Sequence, residues 1–421
     1  MKTVIRMASV AAAAVASTAA GQSSDTTPSI VSTAFGAVRV ERLARLEFPW
    51  GMAFLPDGRL LVTEKPGRLR LFANGRLSEP VAGVPRVEYR DQGGLLDVAV
   101  DPAFATNHLV YLSYAERAEP QPPGLRETPE PRFLSFVDTT DNVLKGQAVA
   151  RGRLEGAELR DVQVIWRQNP KMIGRGHFGG RLVFAPDGKL FITSGDRMRF
   201  DPAQDLSGNV GKVVRINPDG SVPPDNPFAG RSGSSADVWS YGHRNILGAA
   251  INPATGQLWV GEMGPQGGDE INIILPGRNY GWPLVSNGDN YDGSFIPDHQ
   301  SRPQQFQAPI NIWTPSVSPS GMLFYTGSRF PQWRGNALFG GLSSMALLRA
   351  TLNGDKVVAV ERIDLGKRIR DVIQAPDGAL LLVTDDRNGE LLRLTPVAQA
   401  RRRQRVTPVP SANSLSLRII A

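Results

Sequence analysis

A short sequence motif, called here the repeated phrase, consists of an apolar strand, a tight turn and a second apolar strand and recurs about six times along this chain. The copies lie at residues 52–62, 96–114, 181–192, 249–260, 322–339 and 372–382. Pro-Asp-Gly forms the turn in three of them, and glycine and proline are plentiful throughout. A β-hairpin unit that returns every ~45–85 residues is typical of a β-propeller. The sequence therefore predicts an all-β, six-bladed β-propeller whose loops gather at one end of a central channel.

The segments at the two ends of the repeats are predicted to pair with each other. Residues 38–46 alternate between apolar and polar side chains, as a half-buried strand does, and residues 389–394 form the last apolar strand. Pairing them would close the ring and remove its open edges. Residues 36–396 are therefore assigned to a propeller catalytic domain, because a ring of blades reaches this size without a second core.

The N-terminus is typical of an exported protein. Lys2 and Arg6 precede an alanine-rich stretch that ends at Ala20, so residues 1–20 are predicted to be a signal peptide and the protein to be periplasmic. Residues 21–35, rich in serine and threonine, are predicted to be a flexible lead-in. No later segment has the ~18 apolar residues of a membrane-spanning helix. Zero cysteines exclude disulfides, thiolate catalysis and cysteine-bound metals.

The net charge of +7 does not indicate a nucleic-acid partner. Seven basic residues lie in the leader and in the last 21 residues, which contain no acids, so residues 21–400 are neutral overall. Residues 397–421 are accordingly predicted to be a basic, disordered tail. A nucleic-acid function would need a basic face on the folded body, and the sequence does not require one.

His177 is the histidine best placed for chemistry. Glycines at 174, 176, 179 and 180 leave its ring accessible, and a pKa near ~6.5 suits a general base at neutral pH. The alternative is a structural histidine in a glycine-rich turn. His108 and His299 are interpreted as surface residues.

Two pairs of side chains could bind an anionic ligand. Arg244 and Asn245 offer fixed donors to an anion or a quinone oxygen, although Arg244 could instead pack on Trp239 or Tyr241. Arg368 and Arg370 point to the same side of a strand and suit a polycarboxylate. The alternative for this second pair is a solvated strand face.

Residues 261–271 combine glycine, proline and acidic residues. Exposed carbonyls at Gly264 and Pro265, with the carboxylates of Asp269 and Glu270, make the oxygen set that calcium prefers. A glycine-capped acidic turn would explain the same residues. The chain has no P-loop, dinucleotide-binding glycine motif, nucleophile elbow or zinc-protease motif, which argues against nucleotide cofactors and the common serine or zinc hydrolases.

Taken in order, several phrases resemble the soluble glucose/sorbosone dehydrogenase family, most closely its periplasmic aldose sugar dehydrogenases. The matching phrases lie at 49–54, 91–97, 176–181, 204–206, 239–245, 264–272, 279–283, 330–333 and 368–372. The resemblance implies a six-bladed propeller that carries pyrroloquinoline quinone (PQQ) over its channel, with calcium beneath the PQQ. His177 would take the proton of the anomeric hydroxyl of an aldose while hydride passes from C1 to the quinone, which gives a lactone. A periplasmic electron acceptor would then reoxidise the cofactor.

The resemblance also assigns individual residues. Cofactor contacts are implied for Gln92, Arg244, Asn245, Tyr291, Arg368 and Arg370. Arg244 would in addition stabilise negative charge that develops during the reaction. The carbonyls of Gly264 and Pro265 would bind the catalytic calcium, and Glu270 and Tyr280 a second, structural calcium.

This chain departs from the family pattern at two positions. Gly176 stands where glucose-specialised members have aspartate, and Ser343 stands where a cofactor-binding lysine is expected. Arg349 or Lys367 could supply the missing cation. Two other functions remain open from the residues alone: a calcium-dependent propeller lactonase or other hydrolase, and a non-catalytic propeller that binds glycans or a protein.

Overall fold

The structure, a computed structural model, describes residues 27–128 and 139–397. The strands in these residues are β1 (Ser29–Thr33), β2 (Gly36–Leu46), β3 (Pro49–Phe54), β4 (Leu60–Glu64), β5 (Arg68–Ala73), β6 (Arg76–Leu77), β7 (Leu95–Val100), β8 (Leu109–Arg117), β9 (Lys145–Glu155), β10 (Glu158–Arg167), β11 (Gly179–Phe184), β12 (Leu190–Ser194), β13 (Lys212–Ile216), β14 (Val238–Tyr241), β15 (Ile246–Ile251), β16 (Leu258–Glu262), β17 (Gln266–Gly267), β18 (Asp269–Ile273), β19 (Gly288–Asp289), β20 (Asn311–Trp313), β21 (Pro319–Phe324), β22 (Ala337–Gly341), β23 (Ala346–Asn353), β24 (Lys356–Asp364), β25 (Ile369–Gln374), β26 (Leu380–Thr384) and β27 (Gly389–Pro396). The helical elements are α1 (Phe104–Asn107) and the 3-10 turns Asp201–Ala203, His299–Ser301 and Pro331–Trp333. None of the helices in the described residues is long and apolar enough to span a membrane.

The strands form a six-bladed β-propeller, which confirms the predicted fold. Blades 1 to 6 are β3-β4-β5-β6, β7-β8-β9-β10, β11-β12-β13-β14, β15-β16-β18-β20, β21-β22-β23-β24 and β25-β26-β27-β2, the last extended by β1. The pairings within each blade are antiparallel, and β17 with β19 forms a separate small ladder. Each copy of the repeated phrase supplies the first two strands of one blade.

Blade 6 combines both ends of the described chain. β2 pairs antiparallel with β27 from Val38 opposite Pro396 to Leu46 opposite Gly389, so the predicted ring closure is confirmed. The expected flexible lead-in differs from the structure, because Ser29–Thr33 forms β1 and pairs with β2. Its β-branched Ile30 and Val31 favour a strand, and Gly36, with φ +114°, allows the turn between the two strands. The predicted signal peptide and, except for Val397, the basic tail lie outside the described residues.

The core lies between neighbouring blades rather than in one central mass. Leu60 and Val62 of β4 pack towards blade 6, whereas Leu61 between them packs towards blade 2. Each blade is thus buried on both faces. This explains why its second strand is a continuous apolar run instead of an alternating one.

The first strands of the blades contact one another around the channel, and inside it Arg181 bridges two aspartates. Its Nη1 lies 3.3 Å from Asp97 Oδ1 and 3.0 Å from Asp371 Oδ1. Burial raises the pKa of Asp371 to about 7, although Arg181 opposes the shift. The channel is therefore filled by a buried charged group beneath the loops.

The antiparallel order of the strands decides where the functional loops lie. In an antiparallel pair, the start of the first strand and the end of the second lie at the same end. Residues just before the first strand and just after the second strand of every blade therefore converge on one end of the channel, which we call the top face.

Candidate active site

Two adjoining cavities open on the top face and bring the predicted site residues together. The larger, of about 590 Å³, is lined by Gln92, His177, Arg244, Asn245, Gly264, Pro265 and Tyr291, among others. The smaller, of about 300 Å³, is lined by Arg368, Arg370, Asp385 and Lys65, and the two cavities share Gln92 and Asn245. Beneath the smaller cavity lies an apolar layer that includes Trp50, Phe178 and Leu342. Glu270 and Tyr280 line a separate space of about 20 Å³ that also touches Arg244 and Gly264.

His177 is held by its backbone in a left-handed conformation, with φ +49°. Its N–H donates to Gln92 Oε1 at 2.8 Å, and its carbonyl accepts a hydrogen bond from Arg197 N at 3.2 Å. A Cβ at Gly195 would lie 2.1 Å from the His177 carbonyl oxygen, so glycine is required at that position. Within the glycine-rich segment itself, a Cβ at Gly179 would lie 2.6 Å from the Thr193 carbonyl oxygen, so this glycine also allows close backbone approach.

Asp196 orients the ring of His177. Its Oδ1 lies 2.6 Å from His177 Nδ1 and also accepts from Met198 N at 2.9 Å, while Oδ2 accepts from Trp282 Nε1 at 2.7 Å. Burial disfavours the ionised form, but the charge and hydrogen bond of His177, with the charge of Arg244, keep the pKa of Asp196 below its usual value. An ionised Asp196 can only accept, so Nδ1 carries the proton and Nε2 keeps a free lone pair.

The environment of His177 favours its neutral form. The residue is only 4% exposed, so the expectation that its glycines leave the ring accessible was wrong. Burial together with the charge of Arg244 lowers the pKa of His177 below 6.5, although Asp196 partly opposes this. A neutral imidazole at neutral pH is the form that accepts a proton. The structure therefore gives His177 the protonation state of a general base.

Arg244 precedes β15 and reaches over the cavity. Its Nη1 donates to the carbonyls of Met263 at 3.1 Å and Gly264 at 2.6 Å, and Nη2 lies 3.4 Å from the Tyr291 hydroxyl. Its buried Nε has no hydrogen-bond partner among the described residues. The guanidinium lies over the rings of Trp282 and Tyr291, not Trp239 or Tyr241 as the alternative required. An unpaired buried N–H is a donor that a bound ligand can satisfy.

Asn245 adds a second donor at the same place. Its Oδ1 accepts from Gly179 N at 3.2 Å, whereas within the described residues the partner of Nδ2 is the Met263 sulfur at 3.7 Å. The amide group is therefore oriented by its oxygen, with its N–H groups largely unused.

Arg368 and Arg370 converge on one carboxylate. Arg368 Nη2 lies 2.8 Å from Asp385 Oδ2, and Arg370 Nη2 lies 2.9 Å from Oδ1. The side chain of Arg368 is 47% exposed and that of Arg370 only 10%, so a solvated strand face describes the first but not the second. Burial opposes ionisation of Asp385, yet the two arginines hold its pKa far below the usual value. Two cations share one anion, which leaves excess positive charge.

Some of the oxygen atoms predicted to bind calcium already accept hydrogen bonds within the protein. The Gly264 carbonyl accepts from Arg244, and both oxygens of Asp269 accept from main-chain N–H groups of Gly264, Val317 and Ser318. No group of three or more histidine or acidic side chains with metal-binding geometry occurs within the described residues. A cation here would therefore rely mainly on main-chain carbonyls, as the sequence predicts for Gly264 and Pro265.

Glu270 is buried beside another carboxylate. Burial and the charge of Glu262 raise its pKa well above the usual value, although Asn272 Nδ2 donates to it at 3.0 Å. The Tyr280 hydroxyl donates to the Ile273 carbonyl at 2.5 Å. Two facing carboxylates at a small space form a negative site that a cation would stabilise.

The interpretation of His299 as a surface residue was wrong. The residue is 3% exposed; its Nε2 lies 2.9 Å from the Tyr280 carbonyl and its Nδ1 lies 2.7 Å from Asn287 Oδ1. The fold of the 284–311 loop buries it against the loop that carries Tyr280, which a polar local sequence does not reveal. His108 is exposed, as expected.

Three site residues were missed by sequence reasoning. Lys65 and Asp385 directly follow the second strand of blades 1 and 6, and Asp196 follows that of blade 3 by two residues. The sequence predicts site residues in the segments before the first strands, because glycines and arginines mark those segments. The convergence of both loop types at the top face is the signal that would have identified the missed residues.

Known proteins resemble this chain over most of its length. A model of the glucose/sorbosone dehydrogenase family matches residues 46–393. Aldose sugar dehydrogenase YliI of Escherichia coli K12 is 42% identical over 367 residues, which span 85% of this chain and 93% of the relative. The crystal structure of the soluble aldose sugar dehydrogenase of Escherichia coli in its apo-form matches with a TM-score of 0.77 at 41% identity, over 86% of this chain and 100% of the other. The PQQ-bound aldose sugar dehydrogenase of Streptomyces coelicolor matches with a TM-score of 0.65 at 28% identity, over 85% and 98%.

Proposed function

Because this chain belongs to the glucose/sorbosone dehydrogenase family, we propose that it oxidises aldose sugars at C1 to lactones, with PQQ as cofactor. One observation carries the proposal. The proton-accepting nitrogen of His177 and the unpaired N–H of Arg244 belong to side chains that line the same cavity of about 590 Å³. A base beside donors for developing negative charge is the arrangement that oxidation of a hydroxyl carbon needs. The names of the relatives support the coarser part of the proposal, an aldose sugar dehydrogenase, and one of them is PQQ-bound.

The residues present fit a planar polycarboxylate. Arg368 and Arg370 would bind its carboxylates, and Gln92, Asn245 and Arg244 would bind its other oxygens, above the apolar layer that includes Trp50 and Phe178. The unpaired Nε of Arg244 and the positive excess at Asp385 are what an anionic ligand would satisfy. When bound, PQQ supplies the two-electron acceptor, and a calcium ion at the carbonyls of Gly264 and Pro265 supplies Lewis-acid polarisation.

The chain's own residues divide the work of proton transfer. His177 Nε2 accepts the proton of the anomeric hydroxyl. Asp196 keeps Nδ1 protonated and stabilises the imidazolium that results, since it is an ionised partner at 2.6 Å. Arg244 stabilises negative charge that develops during the reaction.

A second calcium site and export complete the proposed function. Glu270 and Tyr280 would hold a second, structural calcium, which would relieve the repulsion between Glu270 and Glu262. Export through residues 1–20 would place the enzyme in the periplasm, where an electron acceptor reoxidises the cofactor. A hydrolase has less support, because Asp269, the carboxylate that lines the larger cavity, already accepts three main-chain hydrogen bonds.

Reconstitution of the apoprotein tests the proposal. PQQ and calcium are added to purified protein, and reduction of an artificial electron-accepting dye is followed with a panel of aldoses. Turnover that requires both PQQ and an aldose, with a lactone as product, is expected. Protein that binds PQQ but releases no lactone, or that does not bind PQQ, would overturn the proposal.

A further inference from the structure

Lys65 is a buried cation at the top face. It directly follows β4 and lines the smaller cavity together with Arg368 and Arg370. The residue is only 8% exposed, although lysine is seldom buried without a partner. Its Nζ donates to the Asp91 carbonyl and lies 5.5 Å from the ring centre of Phe48. The aromatic ring and the carbonyl orient the ammonium group without neutralising it.

The charge of Lys65 is only partly compensated, by carboxylates that form no direct ion pair with it. Among the described residues, no carboxylate oxygen lies within ion-pair distance of Nζ. Burial, followed by the charge of Arg370, lowers the pKa of Lys65 to about 8, while Asp385 and Asp91 oppose the shift. An ammonium group that is buried beside two guanidiniums costs stability unless an anion joins it. The position therefore has the features of a ligand site.

Arg349 and Lys367, the replacements that the sequence suggests for the lysine missing at Ser343, do not line the smaller cavity, although Lys367 lines a neighbouring cavity with Arg368 and Asp385. Arg349 is bound to Glu361 at 2.7 Å and to Asn336 inside blade 5. Lys367 lies 2.8 Å from Glu390. Ser343 itself donates to the Ser316 carbonyl at 3.0 Å. Among the lysines of the described residues, Lys65 is the one that lines a cavity with both Arg368 and Arg370.

We propose that Lys65 binds a carboxylate of the anionic cofactor and completes a three-cation cluster with Arg368 and Arg370. The inference rests on the proposed function, because it takes PQQ as the anion. It places the third cation in blade 1, which is separated from the fifth-blade position by blade 6. An ammonium group contributes a point charge there, whereas the two guanidiniums contribute planar, paired donors.

The cluster predicts how cofactor affinity depends on pH. The groups that face Nζ are Asp91 and Tyr89 before β7, Arg368 and Arg370 at β25, and Asp385 after β26. Burial raises the pKa of Tyr89 above 10, so Lys65 is the member of this set that loses its charge near pH 8. A bound carboxylate favours the charged ammonium, and affinity should fall as pH rises above 8.

Equilibrium titration of the apoprotein with PQQ tests this without reference to turnover. Tryptophan fluorescence or quinone absorbance reports the dissociation constant for the wild type, Lys65→Met, Lys65→Arg and the control Lys356→Met, an exposed lysine on β24. The Lys65→Met variant should bind PQQ about 10- to 100-fold more weakly, because it loses one charge-assisted hydrogen bond. Lys356→Met should match the wild type. Lys65→Arg should bind at pH 7 and keep its affinity at pH 9.5, where the wild type weakens.

The outcomes separate this inference from the proposed function. Wild-type affinity in Lys65→Met overturns the role of Lys65 and leaves the proposed function intact. A wild type that does not bind PQQ overturns both. If thermal unfolding shows that Lys65→Met does not fold, the test becomes the comparison of the wild type with Lys65→Arg. The inference is refuted if both proteins lose the same PQQ affinity between pH 7 and pH 9.5.

Discussion

Replacing Asp196 with asparagine tests how the histidine is made into a base. Asp196 accepts three hydrogen bonds, from His177 Nδ1 at 2.6 Å, Met198 N at 2.9 Å and Trp282 Nε1 at 2.7 Å. Asparagine has one oxygen and one NH₂ group, so it cannot accept from both sides. With its oxygen towards His177, its NH₂ group faces the donor of Trp282. With the amide reversed, its NH₂ group faces His177 and Met198, and the ring must place its proton on Nε2.

The size of the effect follows from these contacts. A hydrogen bond that involves a charged partner contributes about 1.5–3 kcal/mol, so its loss from the imidazolium state lowers kcat/KM about 10- to 150-fold. A buried donor left without an acceptor costs about 1–3 kcal/mol of unfolding free energy. Because Asp196 raises the pKa of His177, its removal should also move the acid limb of the pH–rate profile to lower pH.

The assay is steady-state dye reduction by reconstituted enzyme from pH 5 to 9, with PQQ affinity measured separately. Asp219→Asn, at an exposed carboxylate, is the matched control and should behave as the wild type. PQQ affinity of Asp196→Asn should stay within a few-fold, since Asp196 does not line either cavity. Wild-type kcat/KM with an unmoved acid limb would refute the assignment of Asp196 as the residue that positions His177.

Four further substitutions probe the site and its support. His177→Ala should lower kcat by about 10²- to 10⁴-fold while PQQ still binds, as measured by titration, because it removes the base and not the carboxylate contacts; an active variant would contradict its role. Arg370→Ala should weaken PQQ binding about 10- to 100-fold. Arg368→Ala should weaken it less, because the side chain of Arg370 is 10% exposed and that of Arg368 is 47% exposed. Variants that bind PQQ as tightly as the wild type would count against the carboxylate contacts. Asp371 has a folded-state pKa of about 7 against 3.8 unfolded, so the stability associated with its neutral form is complete below pH 3.8 and is lost as pH rises through 7. Urea denaturation should show that the unfolding free energy falls between pH 5 and 8 by at least about 1 kcal/mol less in Asp371→Asn than in the wild type. If the unfolding free energy of the two proteins depends on pH in the same way, Asp371 does not titrate in this range.

The fold was readable from the sequence because each blade repeats a local pattern. The turn Pro-Asp-Gly at 56–58 and its copies mark hairpins, and hairpins are specified by residues close in the chain. The pairing of 38–46 with 389–394 was predictable for a different reason, since a propeller has two unpaired ends that must be covered. The strand Ser29–Thr33 was not predicted, because polar serine and threonine dominate its surroundings and only its pairing with β2 makes it a strand.

The site was predictable where one segment carries the signal. Glycines mark His177, and paired polar residues mark Arg244 and Arg368. Asp196 and Lys65 lack such marks, because an aspartate or lysine after an apolar strand is common in loops. Their roles come from what lies beside them on the top face, namely an imidazole in one case and two guanidiniums in the other.

The pairing of β2 with β27 also fixes the order in which the molecule can assemble. β2 is synthesised at the start of the propeller and β27 at its end, so the seam forms only when almost the whole chain is available. The seam lies within blade 6, which also carries Arg368 and Arg370 at β25, and Lys65 belongs to the neighbouring blade 1. With no cysteine in the chain, strand pairing and side-chain packing alone hold the seam. We therefore expect the cation cluster to form last on folding and to be lost first on heating, so that PQQ binding disappears while most blades keep their hydrogen bonds.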